Sequence, residues 1–117
     1  MKQSMSKRGK ELYLEDIYHA SSKILQYIKG YSLKDFKKDQ KTIDAVLRNL
    51  EIIGEASSRL RKDFKSFCEK VDDVSWNEMA GLRNIVAHEY FGIDLEIIWK
   101  SIEEDIPHLK KAIKKHL

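Results

Sequence analysis

The chain has 117 residues, of which 42% are hydrophobic and 35% charged, a balance that excludes a disordered polymer. No apolar run approaches the roughly 18 residues that span a bilayer, and the single cysteine, Cys68, rules out an intrachain disulfide, so a reducing cytoplasm is the expected location. A net charge of +3, from 22 basic against 19 acidic side chains, is too mild to identify a nucleic-acid binder by itself.

The chain opens on "MKQSMSKRGK", basic and with no apolar region behind it. It therefore reads as a tail over residues 1–10 rather than a secretory signal, followed by one helical domain over residues 11–117. The spacing of Leu14, Ile17, Ser21, Ile24, Leu25 and Ile28 predicts a helix from about Glu11 to Lys29, stopped by Gly30. Ser32 is placed to cap one short turn. Asp39 can cap a long second helix, from about Gln40 to Arg61, with Ile43, Val46, Leu47, Leu50, Ile53, Gly54, Ser57 and Leu60 on one stripe. Gly54 costs about 1 kcal/mol in helix propensity there. A glycine on an apolar stripe predicts close approach by another helix.

Phe64 to Lys70 suggests a further turn, with Cys68 as a small, partly buried apolar side chain. After the loop "VDDVSW", Ser75 and Glu78 stand at capping-box spacing for a third helix that runs to Glu89 or Tyr90, with Gly92 just beyond. Asp94 can cap a fourth helix containing Leu95, Ile98, Trp99 and Ile102. Pro107 predicts a break near Asp105, with a last helix to about Lys115. The expected fold is all-α: an antiparallel up-down bundle of about four to five helices. The end of the chain, "LKKAIKKHL", is a second acid-free basic run; like the first it reads as a solvated tail, with nonspecific attraction to phosphates as the alternative.

One stretch is a candidate for chemistry, although by spacing alone an arginine and a histidine on an amphipathic helix more often serve a structural or solvated role. "GLRNIVAHEYFG", residues 81–92, sets Arg83, Asn84, His88 and Tyr90 among apolar residues. Asn84 and His88 are four apart and share a helix face, where the amide could orient the imidazole. Arg83 and His88 are five apart, about 140° around an ideal helix, so one helix alone does not aim both at a small target. A long arginine side chain, or a second copy of the helix across a dimer axis, would bring them together. Histidine exchanges protons near neutral pH, and arginine makes forked, permanently charged contacts to phosphate. With the RNA 2′-hydroxyl as nucleophile, that pair suffices for phosphodiester cleavage without a metal. No metal site is evident: His88 and Glu89 lack a second histidine at the spacing of a zinc-binding helix, and the other histidines are scattered. No ATP-binding fingerprint is present, and no cofactor is expected.

Arg83, Asn84, three residues and then His88 resemble the arginine-polar-x-x-x-histidine motif of the HEPN superfamily. The extension to Tyr90 and "FGIDLEIIW" looks like its HepT branch. "DAVLRNLEIIGEASSRL" is similar to the second long helix of that branch, and "WNEMAGLRNIVAHEYFGIDLEIIWKSIEEDIPHLKKAI" to its C-terminal half. The resemblance covers about residues 11–115. It implies a two-fold homodimer with the paired motifs in a cleft at the interface. It also implies a metal-independent endoribonuclease in which Arg83 and His88 are catalytic and Asn84 supports them. The implied partner is a minimal nucleotidyltransferase antitoxin that transfers AMP from ATP to Tyr90 and silences the toxin. Asn49 and Glu55 match polar positions of the family's second helix, where a structural bond across the helix pair is as good a reading as a catalytic one. Two other classes compete: a HEPN module that binds RNA or nucleotide, or docks a nucleotidyltransferase, without cleavage, and a purely structural dimerising bundle. Neither retains a need for the intact Arg83 and His88.

Overall fold

The helical spacing of apolar side chains is realised as seven helices among the residues that the computed structural model describes, 9–89 and 94–117, with side chains at 9–87 and 94–117. They are α1 (Lys10–Tyr27), α2 (Leu33–Lys38), α3 (Gln40–Asp63), α4 (Lys65–Lys70), α5 (Trp76–Ala80), α6 (Leu82–Glu89) and α7 (Leu95–Lys114). The expected all-α bundle is present, with seven described helices against the four or five foreseen. Most of the expected tail, residues 1–8, lies outside the described residues, and α1 begins at Lys10.

Leu14, Ile17, Ala20 and Ile24 form the buried stripe of α1. The chain leaves that helix through Gly30, whose φ of 80° is a left-handed conformation open to glycine at no steric cost. Ser32 and Asp35 then make a complete capping box for α2: the Asp35 amide donates to the Ser32 hydroxyl at 3.2 Å and the Ser32 amide to the Asp35 carboxylate at 3.0 Å. Asp39 caps α3 as expected, accepting from the Thr42 amide at 3.1 Å. It also accepts from the Tyr31 hydroxyl, and these bonds, Tyr31 first, hold the Asp39 carboxyl down at about 2. The turn between α1 and α3 is thereby tied at both ends.

Cross-bundle contacts set the directions. Tyr31, just past α1, meets Asp39 at the start of α3, while Tyr13 near the start of α1 shares a cleft with Glu55 and Ala56 late in α3. The two helices are therefore antiparallel. Lys37 of α2 pairs with Glu96 at the start of α7 at 3.1 Å. At the other end, the Phe67 ring of α4 lies 5.4 Å from His116, just past α7, and 4.6 Å from the Lys10 ammonium of α1. Hence α7 also runs antiparallel to α1. Between the three long helices lies one apolar core that includes Leu14, Ile17, Ile24, Leu50, Ile53, Ile98, Ile102 and Ile113.

Two expectations about helix boundaries are corrected. The break near Asp105 does not occur: α7 is continuous from Leu95 to Lys114 with Pro107 inside it. Ile98, Trp99, Ile102, Ile106, Leu109 and Ile113 make an unbroken buried stripe on one side. Pro107 and Glu103, whose carbonyl loses its amide partner, are both exposed on the other side. Water can satisfy that carbonyl, and burial of the stripe offsets the cost of the ring. The single third helix is instead two, α5 and α6, separated by Gly81, and the Ser75–Glu78 capping box does not form. Trp76 sets the entry to α5: its indole N–H donates to the Val71 carbonyl at 3.0 Å and its amide to the Val74 carbonyl at 3.0 Å. Asp73 fastens the loop before it to α7, through its carbonyl at 2.7 Å from His108 Nε2 and its carboxylate at 3.3 Å from Lys115.

Pro107→Ala restores an amide donor on the exposed face of α7. It is expected to stabilise the fold by up to about 3 kcal/mol. The urea midpoint should rise with unchanged slope; a fall would show that the ring contributes packing that alanine cannot replace.

Candidate active site

α6 carries the motif, and its placement begins in α3. A Cβ on Gly54 would lie 2.7 Å from Arg83 Cγ, 2.9 Å from the Arg83 amide nitrogen and 3.5 Å from the Ala80 carbonyl oxygen. The close approach that the glycine predicts is thus the α5–α6 junction resting directly on α3, with Arg83 seated over the bare Cα. Gly81 turns the chain there without leaving right-handed geometry (φ −70°, ψ −11°). Its carbonyl accepts from both Asn84 at 3.0 Å and Ile85 at 3.3 Å, so α6 starts almost in phase with α5. Leu82 and Val86, one turn apart, are buried. Burying them turns Arg83 and Asn84 outward.

Arg83 does not hang free. Its Nη1 lies 3.1 Å from Glu55 Oε1, and the other oxygen of Glu55 accepts from Arg59 Nε at 3.0 Å. Glu55 therefore orients the catalytic candidate and is itself held one turn along α3. The Arg59 guanidinium is pushed up in pKa by that hydrogen bond. With 52% of its side chain exposed, Arg83 keeps donors available to a ligand. The i,i+4 pair of Glu55 and Arg59 is a pattern that the sequence contains; the contact of Glu55 with a residue 28 positions away is not. Asn49 is buried, and it donates to the Ala45 carbonyl of its own helix at 2.9 Å rather than across the helix pair.

The Arg83 side chain lines two clefts. One, of about 330 Å³, is bounded by Tyr13, Asp16, Arg48, Glu51 and Glu55. The other, of about 510 Å³, is bounded by Ser58, Arg61, Asn77, Gly81 and Asn84. The first is rich in carboxylates and holds an Arg48–Glu51 pair at 3.3 Å. The second is lined by two guanidinium groups and no acid. A phosphate approaching Arg83 is favoured on the Asn84 side and opposed on the other.

His88 lies in the same helix, one turn after Asn84, so the backbone of α6 joins three of the four motif residues. The side chains of His88 and Glu89 lie outside the described residues, as do Tyr90 and Gly92 altogether. Among the described residues no three His, Cys, Asp or Glu side chains cluster as a metal site would need, and no helix is long and apolar enough to cross a membrane. Burial raises the pKa of the Cys68 thiol, as suits a packed side chain rather than a nucleophile.

The chain is similar to known proteins over most of its length. A family model described as "Ribonuclease HepT-like" matches residues 17–116. A protein of Thermococcus cleftensis named "Probable ribonuclease HepT" is 43% identical over 109 residues, covering 93% of this chain and 96% of its own. Two proteins named as putative RNases are similar to the same extent. That of Methanocaldococcus jannaschii is 42% identical over 110 residues, 94% of this chain and 98% of its own. That of Caldanaerobacter subterraneus is 44% identical over 105 residues, 90% and 91%. No solved structure matches the chain.

Gly54→Ala is expected to destabilise the protein. Alanine gains about 1 kcal/mol of helix propensity, but the methyl meets backbone as well as side chain of Arg83. Overpacking of that kind costs roughly 1–3 kcal/mol. Chemical denaturation should therefore show a net loss, or no gain at all, and a clear rise in stability would mean that the contact is slack.

Proposed function

The chain belongs to the ribonuclease HepT-like family of the HEPN superfamily, and from that premise we propose that it is a metal-independent endoribonuclease, the toxin of a toxin–antitoxin pair. The observation that carries the reading is the setting of Arg83. Its backbone and Cγ rest against Gly54, and its guanidinium pairs with Glu55 and is half exposed, on the helix that also carries Asn84 and His88.

In this reading His88 takes the proton of the RNA 2′-hydroxyl. The freed oxygen attacks the adjacent phosphorus, and the bond to the 5′-oxygen of the next nucleotide breaks. The products are a 2′,3′-cyclic phosphate and a 5′-hydroxyl, the latter completed by a proton from an acid. Arg83 stabilises the extra negative charge of the pentacoordinate phosphate with forked donors. Nη1 contacts Glu55, and the remaining donors of the planar group can fork onto phosphate, a geometry that an ammonium does not reproduce. Asn84 supports the imidazole from one turn away. Arg83 and His88 still stand about 140° apart on one helix, so the active species is a two-fold dimer in which the two motifs share a cleft. The partner is a nucleotidyltransferase antitoxin that adds AMP to Tyr90, placing bulk and negative charge beside the catalytic pair.

The test is incubation of the purified protein with RNA in excess EDTA. Cleavage is expected, and His88→Ala should reduce it by about 10² to 10⁴-fold with the helical circular dichroism and the dimer unchanged. Arg83→Lys should be severely impaired as well. Retention of RNA without cleavage would favour a binding module instead, and full activity of a folded His88→Ala chain would remove His88 from the mechanism.

A second measurement addresses regulation. Mixed with its cognate nucleotidyltransferase, ATP and magnesium, the native chain should gain AMP and lose nuclease activity. Tyr90→Phe keeps the ring but lacks the acceptor, so it should stay unmodified and active. Equal mass gain by both chains would place the modification elsewhere.

A further inference from the structure

The cleft on the Asn84 side of Arg83 does not end at Arg61. Ser58, Arg61 and Asn77 also line an adjoining chamber of about 620 Å³, which continues along the seam between the end of α3, α4 and the start of α5. Lys62 and Lys65 form its wall, and the buried side chains of Cys68 and Trp76 form its floor. One groove thus leads from Arg83 to Lys65.

Its lining is basic, and among the described arginines only Arg61 has no carboxylate partner. Arg48, Arg59 and Arg83 each have a glutamate within 3.3 Å. Arg61, Lys62 and Lys65 are exposed and take part in no ion pair among the described residues. The one acid that lines the groove, Glu69, lies in the chamber away from Arg83. Cations without partners, gathered in a concave seam, raise the local potential and attract phosphates. The cleft on the opposite side of Arg83 sets three carboxylates, Asp16, Glu51 and Glu55, beside Arg48 and so draws phosphate less.

We propose that this groove is the track for single-stranded RNA flanking the scissile phosphate, with Arg61, Lys62 and Lys65 neutralising the backbone on one side of the cut only. Ser58 and Asn77, between these cations and Arg83, offer hydrogen bonds to sugar or base edges. What happens to the strand at Arg83 rests on the nuclease reading; the binding along the groove does not.

The test compares Arg61→Gln/Lys62→Gln/Lys65→Gln with a charge-matched control, Lys100→Gln/Lys111→Gln/Lys114→Gln, which alters three exposed lysines of α7. The probe is a fluorescent single-stranded RNA methylated at every 2′-oxygen, which binds but supplies no nucleophile. Single-strand binding loses affinity with a slope of roughly 0.7 per neutralised phosphate on a log–log salt plot. Losing three contacts should flatten the slope by about 2, so that raising salt from about 50 to about 200 mM costs the native chain roughly 20-fold more affinity than the groove variant. The control should keep the native slope. On unmodified RNA the groove variant should raise KM for a long strand, and the α7 control should not. An unchanged slope, an equal effect of both triple variants, or absence of binding by the native chain would overturn the track. If the native chain cuts RNA and the groove variant keeps its slope and KM, the track fails and the nuclease reading stands. If the slope flattens but unmodified RNA is never cut, the nuclease reading fails and the track stands.

Discussion

The bare Cα of Gly54 is the constraint on which the site depends. A helix as long as α3 would ordinarily exclude a glycine from its interior, because alanine is better there by about 1 kcal/mol. Here the missing methyl is occupied by the backbone and first side-chain carbons of Arg83. The arginine therefore leaves the helix surface from a position set by main chain against main chain. Such a contact cannot be slackened by a rotamer change, and it puts the guanidinium within reach of the carboxylate next along α3, Glu55. A small loss in secondary-structure propensity is exchanged for the placement of one charge.

That charge sits on a divide. Carboxylates gather on one side of Arg83 and cations on the other, so its two flanks differ in sign although the chain as a whole is only mildly basic at +3. Net charge is thus a poor guide to what this protein attracts. The field is made by arrangement: glutamates on α3 are spent on neighbouring arginines, and the basic side chains at its C-terminal end are left over.

Much of the fold was legible because long helices announce themselves by period. The stripes of α1 and α3, the caps Ser32, Asp39 and Asp94, and the close approach at Gly54 all follow from local spacing and side-chain chemistry. The misreadings share a cause: a local signal overruled by packing at a distance. Pro107 marks a break by itself, yet the core stripe of α7 runs past it. Ser75 and Glu78 have capping-box spacing, yet the indole of Trp76 fixes the chain's entry first. For the site, α6 unites Arg83, Asn84 and His88 as their spacing requires. The link from Glu55 to Arg83 and the joining of Arg61 to Asn77 and Asn84 cross between elements, and no periodicity encodes them.

The manner in which α6 is attached has a dynamic consequence. Its buried side chains are Leu82 and Val86, with Ile85 partly buried beside them, and its principal neighbour is α3, whereas α1, α3 and α7 share the central core. Elements with little buried area open at a lower free energy than the whole molecule. Amide hydrogens of α6 are accordingly expected to exchange through local detachment, and those of α1 and α3 only on global unfolding. Warming is then expected to unseat the arginine before the bundle behind it gives way.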